Sequence, residues 1–494
     1  MPNTFVKNHL NILLFSASAL LLMSSCGVST AAGPEEVFRE QACQAALQLC
    51  SVGHSHPMGD KALASFYEDH QRLCWVDDWD DTLSIQVLFK ALSQLDRYGL
   101  KKEQFNYEEL KDDYIYLKSL STDSLRSYPK ALAELDYHLS ESYLLYVRGL
   151  HYGFLNPNKL LNKTYFEKED NGDSVRRVDD GFDIQIECCD SIFLRTSLEA
   201  VLKDLPEYLG GLEPQNELYR DLKSELAKNS SSIDKVKRQR ATLEILRWRP
   251  VEQIKGKHVL VNLAAEQLFA YQPNGSLAES MRVCIGSKKH RTPMLVGHIT
   301  RLETNPYWNI PQSILKNEIL SIVRRDTSYL TKHRMTLFTK GGARASLGAL
   351  LACDGSGSIP FRLRQENGPS NPLGQMIFRF KNKFDVYLHD TSKPAVFQQE
   401  DRALSHGCVR LERPSDLLAF LEDNQTRCAD ILQKMEPNEK GEYVLHNYEL
   451  SAAVPLLVNY YPYGLNAKGL LENYGDPYKY VPLITGELKA VGVD

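Results

Sequence analysis

The apolar residues of this chain change their period at Pro250, and that change limits what the chain can fold into. Before it they recur at helical spacing: Leu83, Val87, Leu88, Ala91, Leu92 and Leu95, then Leu135, Leu139, Tyr143, Leu144, Val147 and Leu150. Gly99, in Arg97-Tyr98-Gly99-Leu100, sits where a helix stops. Ser197 to Leu205, Glu217 to Ala227 and Ile233 to Trp248 read as further helices, and the charged stretch 166–182 as a surface loop. After Pro250 come short β-type runs: Lys257 to Leu263, Gln267 to Tyr271, Met281 to Ile285 and Gly297 to Leu302. Met376–Phe380 and Phe384–Leu388 flank Lys381-Asn382-Lys383 and read as a hairpin. Two segregated periods predict an α+β protein, with a mostly helical domain over 61–250 and a β-rich domain over 251–430. Residues 312–368 interrupt the β pattern with a helical part (314–325) and a Gly/Ser-rich part (341–358). An insertion of that size beside a site reads as a lid. Residues 431–494 read as a C-terminal extension packing on one of the two domains.

The N-terminus carries Lys7 and His9, then an apolar run from Ile12 to Met23 that is short for a bilayer span. Residues 1–25 therefore read as an export signal. Ser24-Ser25-Cys26 resembles a lipobox, which makes Cys26 a candidate lipidated residue and membrane anchor. An ordinary signal cut near Ala31-Ala32, or an uncleaved anchor, is the alternative. Residues 26–60 read as a tether with a turn clipped by Cys43 and Cys50. In an exported chain the cysteines permit disulfides. Cys50, His54 and His56 match no zinc spacing, so no metal or other cofactor is expected. The net charge of −5 provides no electrostatic ground for nucleic-acid binding.

The residues that carry chemistry lie in Tyr387-Leu388-His389-Asp390-Thr391 and Ser405-His406-Gly407-Cys408-Val409-Arg410. A cysteine nucleophile needs a base to take its proton. His389 ends a strand-like run, which fixes its ring. Gly407 allows a tight turn, so that the amides of Gly407 and Cys408 can face one point and hold an anionic intermediate. The helix starting near Pro414 begins too late for its dipole to act on Cys408. On residue chemistry alone, a catalytic thiol and a buried inert one both remain open.

The two segments resemble the signature of bacterial L,D-transpeptidases with the YkuD fold. Arg291-Thr292-Pro293, Asn305-Pro306-Tyr307-Trp308-Asn309-Ile310-Pro311, and the stretch from Phe361 to Gly374 resemble the large, multidomain YcbB-like branch. Arg247-Trp248-Arg249-Pro250 resembles the entry to that branch's catalytic domain, and residues 75–160 its helical scaffold. The resemblance implies a helical scaffold domain plus a β-rich YkuD-like catalytic domain with a substrate-capping insertion at 312–368. It implies that Cys408 attacks the bond between meso-diaminopimelate and the terminal D-Ala of a peptidoglycan tetrapeptide stem, and that a second diaminopimelate amine resolves the thioester. His389 would be the base, oriented by a backbone carbonyl near Asp390. Ser405, His406 and Gly407 would line the site and its oxyanion hole. Arg410 would hold the loop by hydrogen bonds. Tyr387 and Trp308 would be pocket walls, with plain core aromatics as the other reading. Arg364 would meet a substrate carboxylate, and Asn371 would lie among the substrate contacts. The implied setting is the periplasm, with peptidoglycan stems as partners and no nucleic acid.

The chain also departs from its relatives. Lys228 to Lys237 is a short polar connection where many carry a small peptidoglycan-binding domain, and Glu366-Asn367-Gly368 differs in length or composition. The same thioester resolved by water would make the protein an L,D-carboxypeptidase. Attachment of a protein to peptidoglycan is a third use of the chemistry. A non-catalytic wall-binding scaffold is the reading from outside enzymes.

Overall fold

In a computed structural model, residues 33–52, 57–76, 82–121, 124, 128–168, 174–228, 232–354 and 357–490 are described. The proposed signal, Cys26, His54 and His56 lie outside them. The chain divides into two compact units. The first is helical and comprises residues up to Leu160, Ile186–Val251 and Tyr480 onward.

The helices of this unit include α1 Pro34–Ser51, α2 Pro57–His70, α3 Leu83–Leu92, α4 Tyr107–Lys118, α5 Pro129–Tyr152, α6 Ser191–Leu202, α7 Glu217–Leu226 and α8 Ile233–Arg247, with a further helix at Tyr480–Ala490. Helix α5 is its long central element, with Leu135, Leu139, Tyr143, Val147 and Leu150 buried on the stripe that the periodicity marked. Caps set several starts: Asp190, Asn216 and Ser232 each accept a hydrogen bond from the backbone N–H three residues on. Gly99 takes φ 72° after a 3-10 turn, the left-handed stop expected of it.

The tether expected over 26–60 is replaced, from Pro34, by helices. Pro34 starts α1 at a position that needs no N–H donor, and Ala42 and Ala46 are buried on its inner face. Cys43 and Cys50 lie on this one helix and clip no turn. None of the nine described cysteines forms a disulfide. At the end of α8, Glu244 and Arg247 form a fully buried ion pair, and Glu244 also accepts from Leu155 N–H and from Trp248 Nε1. Breaking such a pair by removing one partner costs about 3–5 kcal/mol.

The second unit spans Leu161–Gln185 and Glu252–Lys479. Its strands are β1 Asn162–Lys168, β2 Ser174–Asp180, β3 Phe182–Asp183, β4 His258–Asn262, β5 Gln267–Tyr271, β6 Leu277–Gly286, β7 Met294–Thr304, β8 Trp308–Ile310, β9 Met335–Thr339, β10 Phe361–Gln365, β11 Met376–Phe380, β12 Leu388–His389, β13 Ala403–Ser405, β14 Val409–Leu411 and β15 His446–Asn459. The main sheet runs β11-β12-β14-β6-β5-β4-β15-β7-β3, and β11 also pairs with β7, so the path of strands closes on itself. Val259, Val261, Leu268, Val283, Leu388 and Val409 fill its interior. A closed path leaves few open edges and holds every strand end in place.

Three local expectations change here. Of the stretch expected as a loop over 166–182, residues 166–168 and 174–180 are strand: β1 and β2 pair in antiparallel register, and Phe182 then joins the main sheet through β7. The expected hairpin at 381–383 is looser, because β12 begins only at Leu388 and Asp385 takes φ 53° in the connection. Of the residues after 430, those from Tyr480 belong to the helical unit as expected, but β15 is more than an extension, for it lies between β4 and β7, in parallel pairing with β4. Val454, Leu456 and Val458 of this strand are buried and alternate with half-buried Pro455 and Leu457, a pattern that sequence reading passed over because it follows the catalytic motif.

Residues 312–368 form a small layer of their own. Strands β8, β10 and β9 make a three-stranded sheet, and the helical run Gln312–Arg325, with a π-helical segment at Leu315–Ile319, packs on it. Ile314, Leu315, Ile319, Leu320, Val323, Leu350 and Leu363 share one buried core. Among the described residues, no helix is long and apolar enough to cross a membrane.

Candidate active site

Strands β12 and β14 lie side by side in parallel register, Leu388 opposite Val409 and His389 opposite Arg410. Side chains alternate across a strand. Leu388 and Val409 therefore point into the core, both fully buried. Tyr387, His389, Cys408 and Arg410 share the other face, and all four line one cavity of ≈ 560 Å³. Trp308, Ser405, His406, Arg379, Asp385 and His290 line it too. The sheet thus brings together residues that sequence reading placed in two separate turns.

His389 is 4% exposed, and its Nδ1 is buried without a hydrogen bond. Burial first, and then the Arg410 guanidinium, hold its pKa down at about 3, against the pull of backbone groups of Asp390 and Leu373. These backbone groups favour a ring proton, so they act as carbonyl acceptors near the ring, although none completes a bond of good geometry to Nδ1. The imidazole is neutral at pH 7 and able to accept a proton.

Cys408 sits between β13 and β14, with Sγ 3.9 Å from the Asp385 carbonyl. Burial pushes its thiol pKa up, while the backbone and hydroxyl of Tyr387, then Arg379 and Arg410, pull it down. No hydrogen bond joins Sγ to His389 among the described residues. The resting pair is a neutral thiol beside a neutral imidazole. Catalytic hydrogen bonds often close only when substrate is bound.

The turn that presents Cys408 is held tightly. Gly407 takes φ 116°, a conformation that side-chain-bearing residues rarely adopt. Thr292 Oγ1 donates to the Gly407 carbonyl at 2.8 Å and accepts from Gly286 N–H at 2.9 Å. Ser405 Oγ donates to the Cys408 carbonyl at 2.5 Å and accepts from Gly407 N–H at 3.1 Å. The Gly407 amide is therefore spent inside the turn, contrary to the expected pair of oxyanion donors. The Tyr387 hydroxyl lies beside the sulfur.

Three expected residues stand elsewhere. Arg364, on β10, pairs with Glu366 at 3.2 Å and stacks over Tyr307 and Phe338, outside the cavity lining. Asn371 is fully buried. Its amide donates to the Pro306 and Glu366 carbonyls, and its oxygen accepts from Leu373 N–H, so it shapes the loop before β11. The Asp390 carboxylate accepts from Gln375 and Thr391 N–H and is not among the residues lining this cavity. Arg410 also differs from expectation. It makes no hydrogen bond or ion pair among the described residues, its Nε is buried unpaired, and the register of β14 turns it into the cavity.

Arg379 and His290 were missed. Arg379 is fixed by two bonds to Glu303, at 2.7 and 2.8 Å, and lies 4.7 Å over the Tyr387 ring. Its pairing follows from the register of β11 on β7, which no local motif encodes. His290 stacks on His406 at 5.0 Å, and His406 Nε2 meets Glu318 of the insertion at 2.7 Å. Among the described residues no group of three His, Cys, Asp or Glu is placed to hold a metal ion.

Residues 256–428 match the family model of the YkuD L,D-transpeptidase catalytic domain, and residues 61–226 match the Scaffold domain. A Haemophilus influenzae protein, provisionally named an L,D-transpeptidase, is 26% identical over 279 residues. That match covers 55% of this chain and 56% of the relative. Among solved structures, an L,D-transpeptidase from Mycobacterium smegmatis is 14% identical with a TM-score of 0.20, over 41% of this chain and 59% of the other. A mutant of the Enterococcus faecium L,D-transpeptidase is 11% identical with a TM-score of 0.21, over 64% and 81%. Similarity this slight carries no structural argument beside the two family matches.

Proposed function

This chain joins a YkuD L,D-transpeptidase catalytic domain to a Scaffold domain, the YcbB-like architecture, and on that premise we propose a cysteine acyltransferase acting on peptidoglycan stems. The single observation that carries the reading is the shared face of β12 and β14, with Cys408, His389, Tyr387 and Arg410 on one cavity. In the proposed reaction, His389 takes the thiol proton as Cys408 Sγ attacks the carbonyl between meso-diaminopimelate and D-Ala. The proton passes to the departing D-Ala amine, leaving a thioester. The side-chain amine of a second diaminopimelate attacks that thioester, gives a proton to His389, and releases the sulfur, which takes the proton back. The Cys408 amide and Tyr387 hydroxyl face the developing oxyanion. Arg410, a cation without a protein partner, suits a stem carboxylate.

The test is incubation with purified tetrapeptide muropeptides. Cross-linked dimers and free D-Ala, both absent with Cys408→Ala, are the expected products. Tripeptides alone would replace transfer by hydrolysis, and a Cys408→Ala variant that keeps full cellular function would point to a wall-binding scaffold. We also propose that the protein is exported to the periplasm by residues 1–25 and anchored by lipid on Cys26. Loss of fatty-acid labelling in Cys26→Ala is the expected result.

A further inference from the structure

The helical unit holds a second cavity, ≈ 180 Å³, that the proposed chemistry does not use. Its walls are apolar: Met58, Leu63, Leu144, Leu145 and Leu194. Glu141, Leu144, Leu145 and Arg148 form one stripe of α5, spaced i, i+3, i+4 and i+7. The two charged residues are thus about 10 Å apart along the helix, with leucines between them.

At the carboxylate end Glu141 Oε2 meets His138 Nδ1 at 2.9 Å, and Asp60 is the group short of donors. Asp60 is 6% exposed and lines the cavity. Its Oδ1 accepts from the Tyr137 hydroxyl at 2.8 Å, while Oδ2 is buried with no partner. The same hydroxyl lies 3.3 Å from Glu141 Oε1, so two carboxylates share one hydroxyl proton. At the other end, Arg148 lines the cavity with a buried, unpaired Nε and makes no ion pair among the described residues. Buried charge left unpaired is costly, and a ligand that pairs it recovers that cost. We propose that this cavity binds a small zwitterion whose ammonium and carboxylate are separated by an aliphatic chain, the ammonium meeting Asp60 and Glu141 and the carboxylate meeting Arg148. A cavity of about 150 Å³ holds benzene, so one of ≈ 180 Å³ encloses roughly seven non-hydrogen atoms, most of a short amino acid with a charge at each end.

The probe is 6-aminohexanoate, titrated calorimetrically into the full chain, with hexylamine and hexanoate as single-charge comparisons. The zwitterion binds at least about tenfold more tightly than either, and Asp60→Asn and Arg148→Gln each weaken it by about tenfold or more. Cys189 provides a readout in the unmutated protein, because its thiol lines the cavity while the adjacent Cys188 is exposed. Bound zwitterion slows maleimide labelling of Cys189 and leaves Cys188 unchanged. No binding up to about 10 mM, equal binding of all three compounds, or equal slowing of both thiols would overturn the proposal.

Discussion

Three histidines line the cavity, and the regions that carry two of them, His389 and His406, treat the same side chain in opposite ways. His389 belongs to the floor: it sits in a two-residue strand, buried, with its pKa near 3. His406 belongs to the rim: its side chain is 43% exposed, stacked on His290 and paired with Glu318 of the insertion. Burial and strand register, rather than residue type or closeness in sequence to Cys408, separate a neutral base from a surface contact. The floor is rigid because a closed sheet holds it. The rim is joined to a layer with its own core through an exposed pair worth about 0–1 kcal/mol.

The largest test of this contrast replaces the two histidines in turn. His389→Asn lowers kcat by roughly 10²–10⁴ in a muropeptide assay, whereas His406→Asn changes it several-fold at most. Equal losses would erase the distinction between floor and rim. Next in size, Arg410→Gln raises KM by about tenfold or more while changing kcat less, the pattern of a lost charged contact to substrate. If kcat falls and KM stays fixed, Arg410 acts on the thiol instead.

The floor also makes a prediction in pH. His389 has a folded pKa held below its ordinary value of 6.5, so its contribution to stability is complete above pH 6.5 and is lost as pH falls from there toward 3. In that window the unfolded chain binds a proton that the folded one does not, with a slope of at most about 1.4 kcal/mol per pH unit. Thermal melts of the parent and His389→Asn should converge across this range, since the variant lacks the term. The smallest effect belongs to the rim. Glu318→Gln weakens the contact with His406 and changes kcat/KM by a factor of about five or less. A loss as large as that of His389→Asn would make the insertion part of the machinery and not its cover.

The sequence by itself determined the change of architecture at Pro250, because helical and alternating periods are local properties of the chain. It determined His389 and Cys408 as the candidate pair for a similar reason: a strand end and a Gly-Cys turn are short-range features. It also marked the 312–368 insertion, which interrupts the β pattern. Only the tertiary structure decided which residues share the cavity. Arg379 entered through the pairing of β11 with β7, and Arg410 turned inward through the parallel register of β12 and β14. Asn371 and Arg364 looked like substrate contacts in the linear motif. Three-dimensional packing spends one on a loop's backbone and the other on Glu366 and two aromatic rings. The strand His446–Asn459 was hidden for the same physical reason. A strand's place in a sheet depends on partners far along the chain, here β4 and β7, and no local period states which partners those are.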